Sequence, residues 1–181
     1  MTHDELIQRG AKWLKNSGMG FYRFPLVITE LRTVANEIPD IMGFNNACTV
    51  VIECKASLSD FKADLKKAHR QHVFKLGQMR CYLCPAGLIA TNLVPEGWGL
   101  LYAHPNKITI EVKPPWHSDL EIRWEEYKIL YSIVRRALAR GYMPDILKPT
   151  PQELVVRKAG EQNRFVPPPW LNGVNLNNRS V

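Results

Sequence analysis

No stretch of the sequence approaches the roughly 18 consecutive apolar residues that a bilayer-crossing helix needs. The first twenty residues, with His3, Asp4 and Glu5, also lack the secretory layout of charge followed by an apolar run. A cytoplasmic protein with no membrane partner is the expectation. Cysteine is scarce, four among 181 residues, too few for a disulfide scaffold. Cys48, Cys54 and Cys81 lie in or beside apolar runs and read as reduced core thiols. Cys81 and Cys84 form a CxxC, but on a strand positions three apart point to opposite faces, and no second pair follows, so zinc is not expected. No internal repeat of 20 to 50 residues is visible, which removes solenoids and propellers. Acid is in deficit: 17 acidic residues face 24 Lys and Arg, a net charge of +7 that suits an acidic polymer as partner.

The apolar fraction of 45% and the charged fraction of 23% are those of a folding chain, and the length suits one ordinary domain. Residues 1–141 carry the patterned part. Residues 142–181, with Pro144, Pro149, Pro151, the run Pro167-Pro168-Pro169 and an asparagine-rich end, read as an irregular surface tail. Leu6, Ile7, Trp13 and Leu14 at helical spacing, stopped by Gly18, predict an opening helix over 3–17. Phe24 to Val34 fits either a helix or a strand, and its β-branched content favours the strand. Asp40–Phe44 and Cys48–Lys55 read as a hairpin around Asn45-Asn46.

Ser57, with Asp60 three residues on, opens a helix expected to reach about residue 75. Further strands are expected at Arg80–Cys84, Leu88–Ala90, Trp98–Ala103 and Ile108–Val112. A long helix follows over 118–140, ended by Gly141, with the seam Leu120, Trp124, Tyr127, Tyr131, Val134 and Leu138. That regular seam reads as a core or homodimer contact rather than as a base-stacking surface. The architecture is α/β, a central mixed sheet flanked by helices.

The hairpin carries the chemistry. With a two-residue loop at Asn45-Asn46, Asp40 falls opposite Val51, on the face shared by Val51, Glu53 and Lys55. Asp40 and Glu53 are then diagonal neighbours, about 7 to 8 Å apart along the backbone. Two carboxylates so placed, with a backbone carbonyl and a substrate phosphate, suit Mg²⁺, which keeps several waters. Phosphodiester hydrolysis needs an activated water and a stabilised, extra-negative phosphorus centre, and a metal serves both. Lys55 adds a positive donor able to orient or deprotonate the water. The alternative for these three residues is a salt-bridged, solvent-facing hairpin surface. Against it, Glu53 sits in the otherwise apolar run Val50 to Cys54, where unpaired charge is costly.

Ile38-Pro39-Asp40, twelve intervening residues, and Glu53-Cys54-Lys55 at the end of an apolar strand resemble the PD-(D/E)xK nuclease superfamily. The stretch Glu53-Cys54-Lys55-Ala56-Ser57 with Asp60-Phe61, and Pro95-Glu96-Gly97-Trp98-Gly99-Leu100-Leu101, resemble a bacterial and phage branch related to MmcB-type DNA-repair proteins. The resemblance spans about residues 27 to 115. It implies a restriction-endonuclease-like core and Mg²⁺- or Mn²⁺-dependent DNA cleavage in repair, recombination or phage DNA processing. It further implies Asp40 and Glu53 as metal ligands, the Cys54 carbonyl as an additional ligand, Lys55 as catalytic lysine and Glu30 as an upstream acid. If residues 30 and 40 pair across a turn centred on Ala35, Glu30 faces Asp40 directly. The Cys54 thiol itself should pack into the core.

Segment 62–80 holds six cations against one acid, Asp64. Lys62, Lys66 and Arg70 fall on one helical stripe, and with Lys67 they are the expected contacts to a DNA backbone, a solvated helix face being the alternative. His69 and His72 read as core or rim residues rather than metal ligands. The rival to the nuclease is a non-catalytic nucleic-acid-binding or protein-interaction module that retains the fold.

Overall fold

The computed structural model describes residues 1–20, 22–32, 37–66, 76–118 and 120–141. Two compact units divide the chain, Met1–Arg136 and Ala137–Val181, and the sheet lies in the first. The expected tail, 142–181, lies outside the described residues.

Six strands, β1 (Leu26–Thr29), β2 (Ile41–Phe44), β3 (Thr49–Cys54), β4 (Met79–Pro85), β5 (Gly99–Ala103) and β6 (Ile108–Val112), form one sheet in sequential order. β3, β4 and β5 run parallel to one another, while β1/β2, β2/β3 and β5/β6 are antiparallel. The fold is therefore α/β with a mixed sheet, as the sequence predicts. Every residue of β3 is buried, as befits a strand covered on both faces.

Alternation along β3 splits the core. Val50, Ile52 and Cys54 join Ile41, Cys81, Leu83 and Leu101 under helix α1 (His3–Asn16). A capping box between Thr2 and Glu5 starts that helix. Gly10 is where its backbone meets the sheet, since a Cβ there would come within 2.6 Å of Ile41 Cδ1 and Leu83 Cδ2. The opposite face carries Thr49, Val51 and Glu53 and is covered by α2 (Leu58–Leu65) and α3 (Leu120–Ala139). Cys81 and Cys84 fall into different core clusters, on opposite faces, which disposes of the CxxC as a metal pair.

Several expectations are corrected. The β2–β3 loop has four residues, Asn45–Cys48, closed by Asn45 N–H to Cys48 O at 3.0 Å. The Asn45 side chain accepts from the amides of Ala47 and Cys48, which stabilises this longer loop over the two-residue one. Leu88–Ala90 is not a strand: Leu88 N–H bonds Pro85 O in a turn, and the short 3-10 helix Thr91–Leu93 follows. The helix after Ser57 is described only to Leu65, with Lys66 as its C-cap, and residues 67–75 lie outside the described residues.

The seam of α3 is not core. Trp124, Tyr127, Tyr131, Val134 and Leu138 are exposed, and the inward stripe is Ile122, Glu125, Glu126, Ile129, Ser132 and Ile133. The inward acids hide that stripe from a sequence reading. Glu126 Oε1 accepts from Thr49 Oγ1 at 2.5 Å and Gly77 N–H at 3.1 Å, and Glu125 Oε1 accepts from Lys128 Nζ at 2.6 Å. Burial holds the Glu126 carboxyl above the usual range, a push that its two hydrogen bonds only partly offset.

Candidate active site

The pairing Ile41↔Ile52 shifts the hairpin by two places from the expected register. Because side chains alternate with period two, the shift preserves every face, and continuing the ladder by one rung sets Asp40 opposite Glu53 rather than diagonal to it. β4 adds Tyr82 beside Glu53 on the same rung. Lys55 follows β3, with its backbone fixed by N–H donation to Leu83 O at 2.8 Å.

Asp40 Oδ2 accepts from the Cys54 amide at 2.7 Å and lies 3.3 Å from His3 Nε2, at the start of α1. Lys55 Nζ lies 3.7 Å from Glu53 Oε2 and 3.3 Å from Asp64 Oδ1. Tyr82 OH donates to Asp64 Oδ2 at 3.0 Å, so both oxygens of Asp64 are engaged. The Glu53 and Lys55 side chains are only 6% and 5% exposed, which rules out the solvent-facing hairpin surface.

Asp64 is the member of this polar cluster that sequence reasoning missed. It is buried on α2 beside Phe61, three positions earlier in the apolar stripe, and that register was its one signal. Aromatic packing fixes its partner: the Tyr82 ring stacks on Trp98 at 4.3 Å between centroids and meets the edge of Phe61 at 5.1 Å.

Glu30 reaches the rim. Its N–H donates to Asp40 O at 3.1 Å, one rung beyond Thr29↔Ile41, which is the pairing about Ala35 expected from sequence. Its side chain is exposed and its backbone sits at φ 46°, the left-handed region. Cys54 packs into the core as expected. Burial drives its thiol far up, Asp40 and Glu53 drive it further, Lys55 opposes them, and Glu30 adds a last small push. The field around the end of β3 is thus acidic.

Among the described residues no three His, Cys, Asp or Glu side chains gather to hold a metal by themselves. The chemistry of the donors nonetheless fits Mg²⁺ or Mn²⁺: Asp40 and Glu53 offer hard carboxylate oxygens beside the adjoining ends of β2 and β3, and carbonyl, water and substrate would supply the remaining positions.

Of the expected backbone contacts, Lys62 and Lys66 are exposed on α2. Lys67, Arg70, His69 and His72 lie outside the described residues. Arg80, counted from sequence among the basic surplus, is buried. Its guanidinium binds both Glu37 oxygens and Leu76 O, and it lies 4.5 Å from the centre of the Trp98 ring. It serves the core and not a polyanion.

No helix among the described residues is long and apolar enough to cross a membrane. No protein-family model and no curated protein matches the chain. A solved structure of a protein of unknown function from Silicibacter pomeroyi is similar in fold, with a TM-score of 0.56 and 23% sequence identity. The match covers 82% of this chain and 99% of that one.

Proposed function

We propose that the protein is a metal-dependent nuclease that hydrolyses phosphodiester bonds in DNA, built on a restriction-endonuclease-like core. The observation that carries this reading is the end of β3, where Asp40 Oδ2 accepts from the Cys54 amide at 2.7 Å and the buried Lys55 Nζ lies 3.7 Å from the Glu53 carboxylate. Asp40 and Glu53 hold Mg²⁺ or Mn²⁺, with the Cys54 carbonyl as a further donor. The ion supplies charge stabilisation at phosphorus and a more acidic bound water. Lys55, anchored by Asp64, acts as a cationic donor that orients the attacking water. Glu30 supports the site from its rim, and Lys62 and Lys66 meet the backbone of the bound strand.

The test is incubation of supercoiled plasmid with Mn²⁺ or Mg²⁺. Wild type should nick it and EDTA should stop the reaction, while Asp40→Asn and Lys55→Ala fall by about 100-fold or more. Equal nicking by wild type and variants would overturn the proposal.

One observation favours a second reading, a non-catalytic nucleic-acid-binding or protein-interaction module. The polar cluster is nearly closed and internally bonded, Asp40 Oδ2 to the Cys54 amide and Lys55 to Asp64, as a structural network would be. Under that reading wild type cuts neither supercoiled, single-stranded nor branched DNA, and Asp40→Asn leaves salt-dependent DNA binding intact.

A further inference from the structure

We propose that the exposed face of α3 is a platform for single-stranded nucleic acid. Trp124, Tyr127 and Tyr131 are 63%, 56% and 55% exposed, far more than rings of this size leave open without a use. They form a ladder. Trp124 and Tyr127 lie 5.5 Å apart between centroids at 15°, and Tyr127 and Tyr131 lie 6.4 Å apart at 27°. Seven residues of helix advance about 10 Å, close to the rise of three stacked nucleotides at about 3.4 Å each.

Charge selects the occupant. Arg123 and Arg135 are exposed at either end of the ladder, whereas Glu125 and Glu126 are turned into the core. Among the described side chains of α3, its outer face therefore offers rings and cations beside the aliphatic Leu130, Val134 and Leu138. In a parallel pair of copies each arginine would lie against itself, cation against cation. A single strand supplies what is missing: phosphates for the arginines and open base faces for the rings. A duplex hides those faces in its own stack. That this strand is also the substrate of the Asp40–Glu53 site rests on the function proposed above; the binding does not.

The test is fluorescence anisotropy with a labelled mixed-sequence single strand and the matching duplex, in EDTA so that nothing is cut. The single strand should bind more tightly than the duplex. Trp124→Ala and Tyr127→Ala should each weaken it by about 5- to 100-fold, while Trp124→Phe stays near wild type. Arg123→Gln with Arg135→Gln should lower the single-strand salt slope by about 1.4. These residues are exposed, so circular dichroism and melting should not move. Unchanged single-strand affinity in both alanine variants would overturn the inference. So would a wild-type dimer that Trp124→Ala splits without loss of DNA affinity, since the face would then join two copies. Ladder-dependent binding by a protein that cuts nothing keeps this inference and removes the nuclease; cleavage with ladder-independent binding does the reverse.

Discussion

Lys55 lies closer to Asp64 of α2 than to Glu53 of its own strand, 3.3 Å against 3.7 Å. The lysine is thereby held by an acid whose other oxygen is fixed by Tyr82. Removing one partner of a buried ion pair leaves the other charge uncompensated, at about 3 to 5 kcal/mol. Asp64→Ala should lose stability on that scale by urea denaturation. Tyr82→Phe should lose about 1.5 to 3 kcal/mol, the range for a hydrogen bond to a charged group. The double variant should fall well short of the sum, because the hydroxyl matters only while Asp64 is there. Additive losses would separate Tyr82 from the pair.

Lys55→Arg should remain folded and cut poorly. The side chain is nearly enclosed, and a planar guanidinium presents its donors in a fixed fork where the ammonium is a compact point. Overpacking should cost about 1 to 3 kcal/mol, and cleavage should drop by about 100-fold or more, read from plasmid nicking beside a melting curve. Wild-type rates in the variant would show that the lysine supplies charge alone.

The stability of the α3 docking should depend on pH through Glu126. Its folded pKa is raised by burial, so between the ordinary carboxyl value and the raised one the folded chain holds more protons than the unfolded chain. Its contribution is full below the ordinary value and is lost as pH rises through the folded one. Glu126→Gln keeps an amide oxygen for Thr49 Oγ1 and the Gly77 amide, both of which bond Oε1. It should therefore melt higher than wild type at pH 7.5 and show no such gain at pH 4. A variant that melts lower at pH 7.5 would refute this.

At Gly10 two effects oppose each other. Alanine improves helix propensity by about 1 kcal/mol, but its methyl would press on Ile41 and Leu83 at 2.6 Å. Displacing two packed core side chains costs about 1 to 3 kcal/mol, so Gly10→Ala should destabilise in urea denaturation. A stabilised variant would mean that α1 sits less tightly than described.

The hairpin was legible because its face assignment survives a wrong loop length. Asn45 suggested a tight turn, yet its side chain closes a four-residue loop, and the two-place shift keeps Met42 and Val51 on one face and Ile41 and Ile52 on the other. The 30-to-40 pairing was legible for a similar reason, since a turn of fixed centre fixes its rungs. Asp64, Arg80 and the inward acids of α3 were not. Charged residues read as solvent-facing, and only tertiary partners, Lys55 and Tyr82 for Asp64, Glu37 for Arg80, and Thr49 for Glu126, make their burial affordable. The core alternative for the α3 seam failed in the mirrored way, because large aromatic residues at helical spacing look like a core until the helix is seen from its other side.

The sequential strand order has a consequence for how the site comes into being. Asp40, Glu53, Lys55, Asp64 and Tyr82 all arrive on neighbouring pieces of chain, β2, β3, α2 and β4, with no remote segment threaded between them. Assembly of this polar cluster is then tied to formation of the central sheet. In the finished molecule the amides of Cys54 and Lys55 should be among the last to exchange with deuterium.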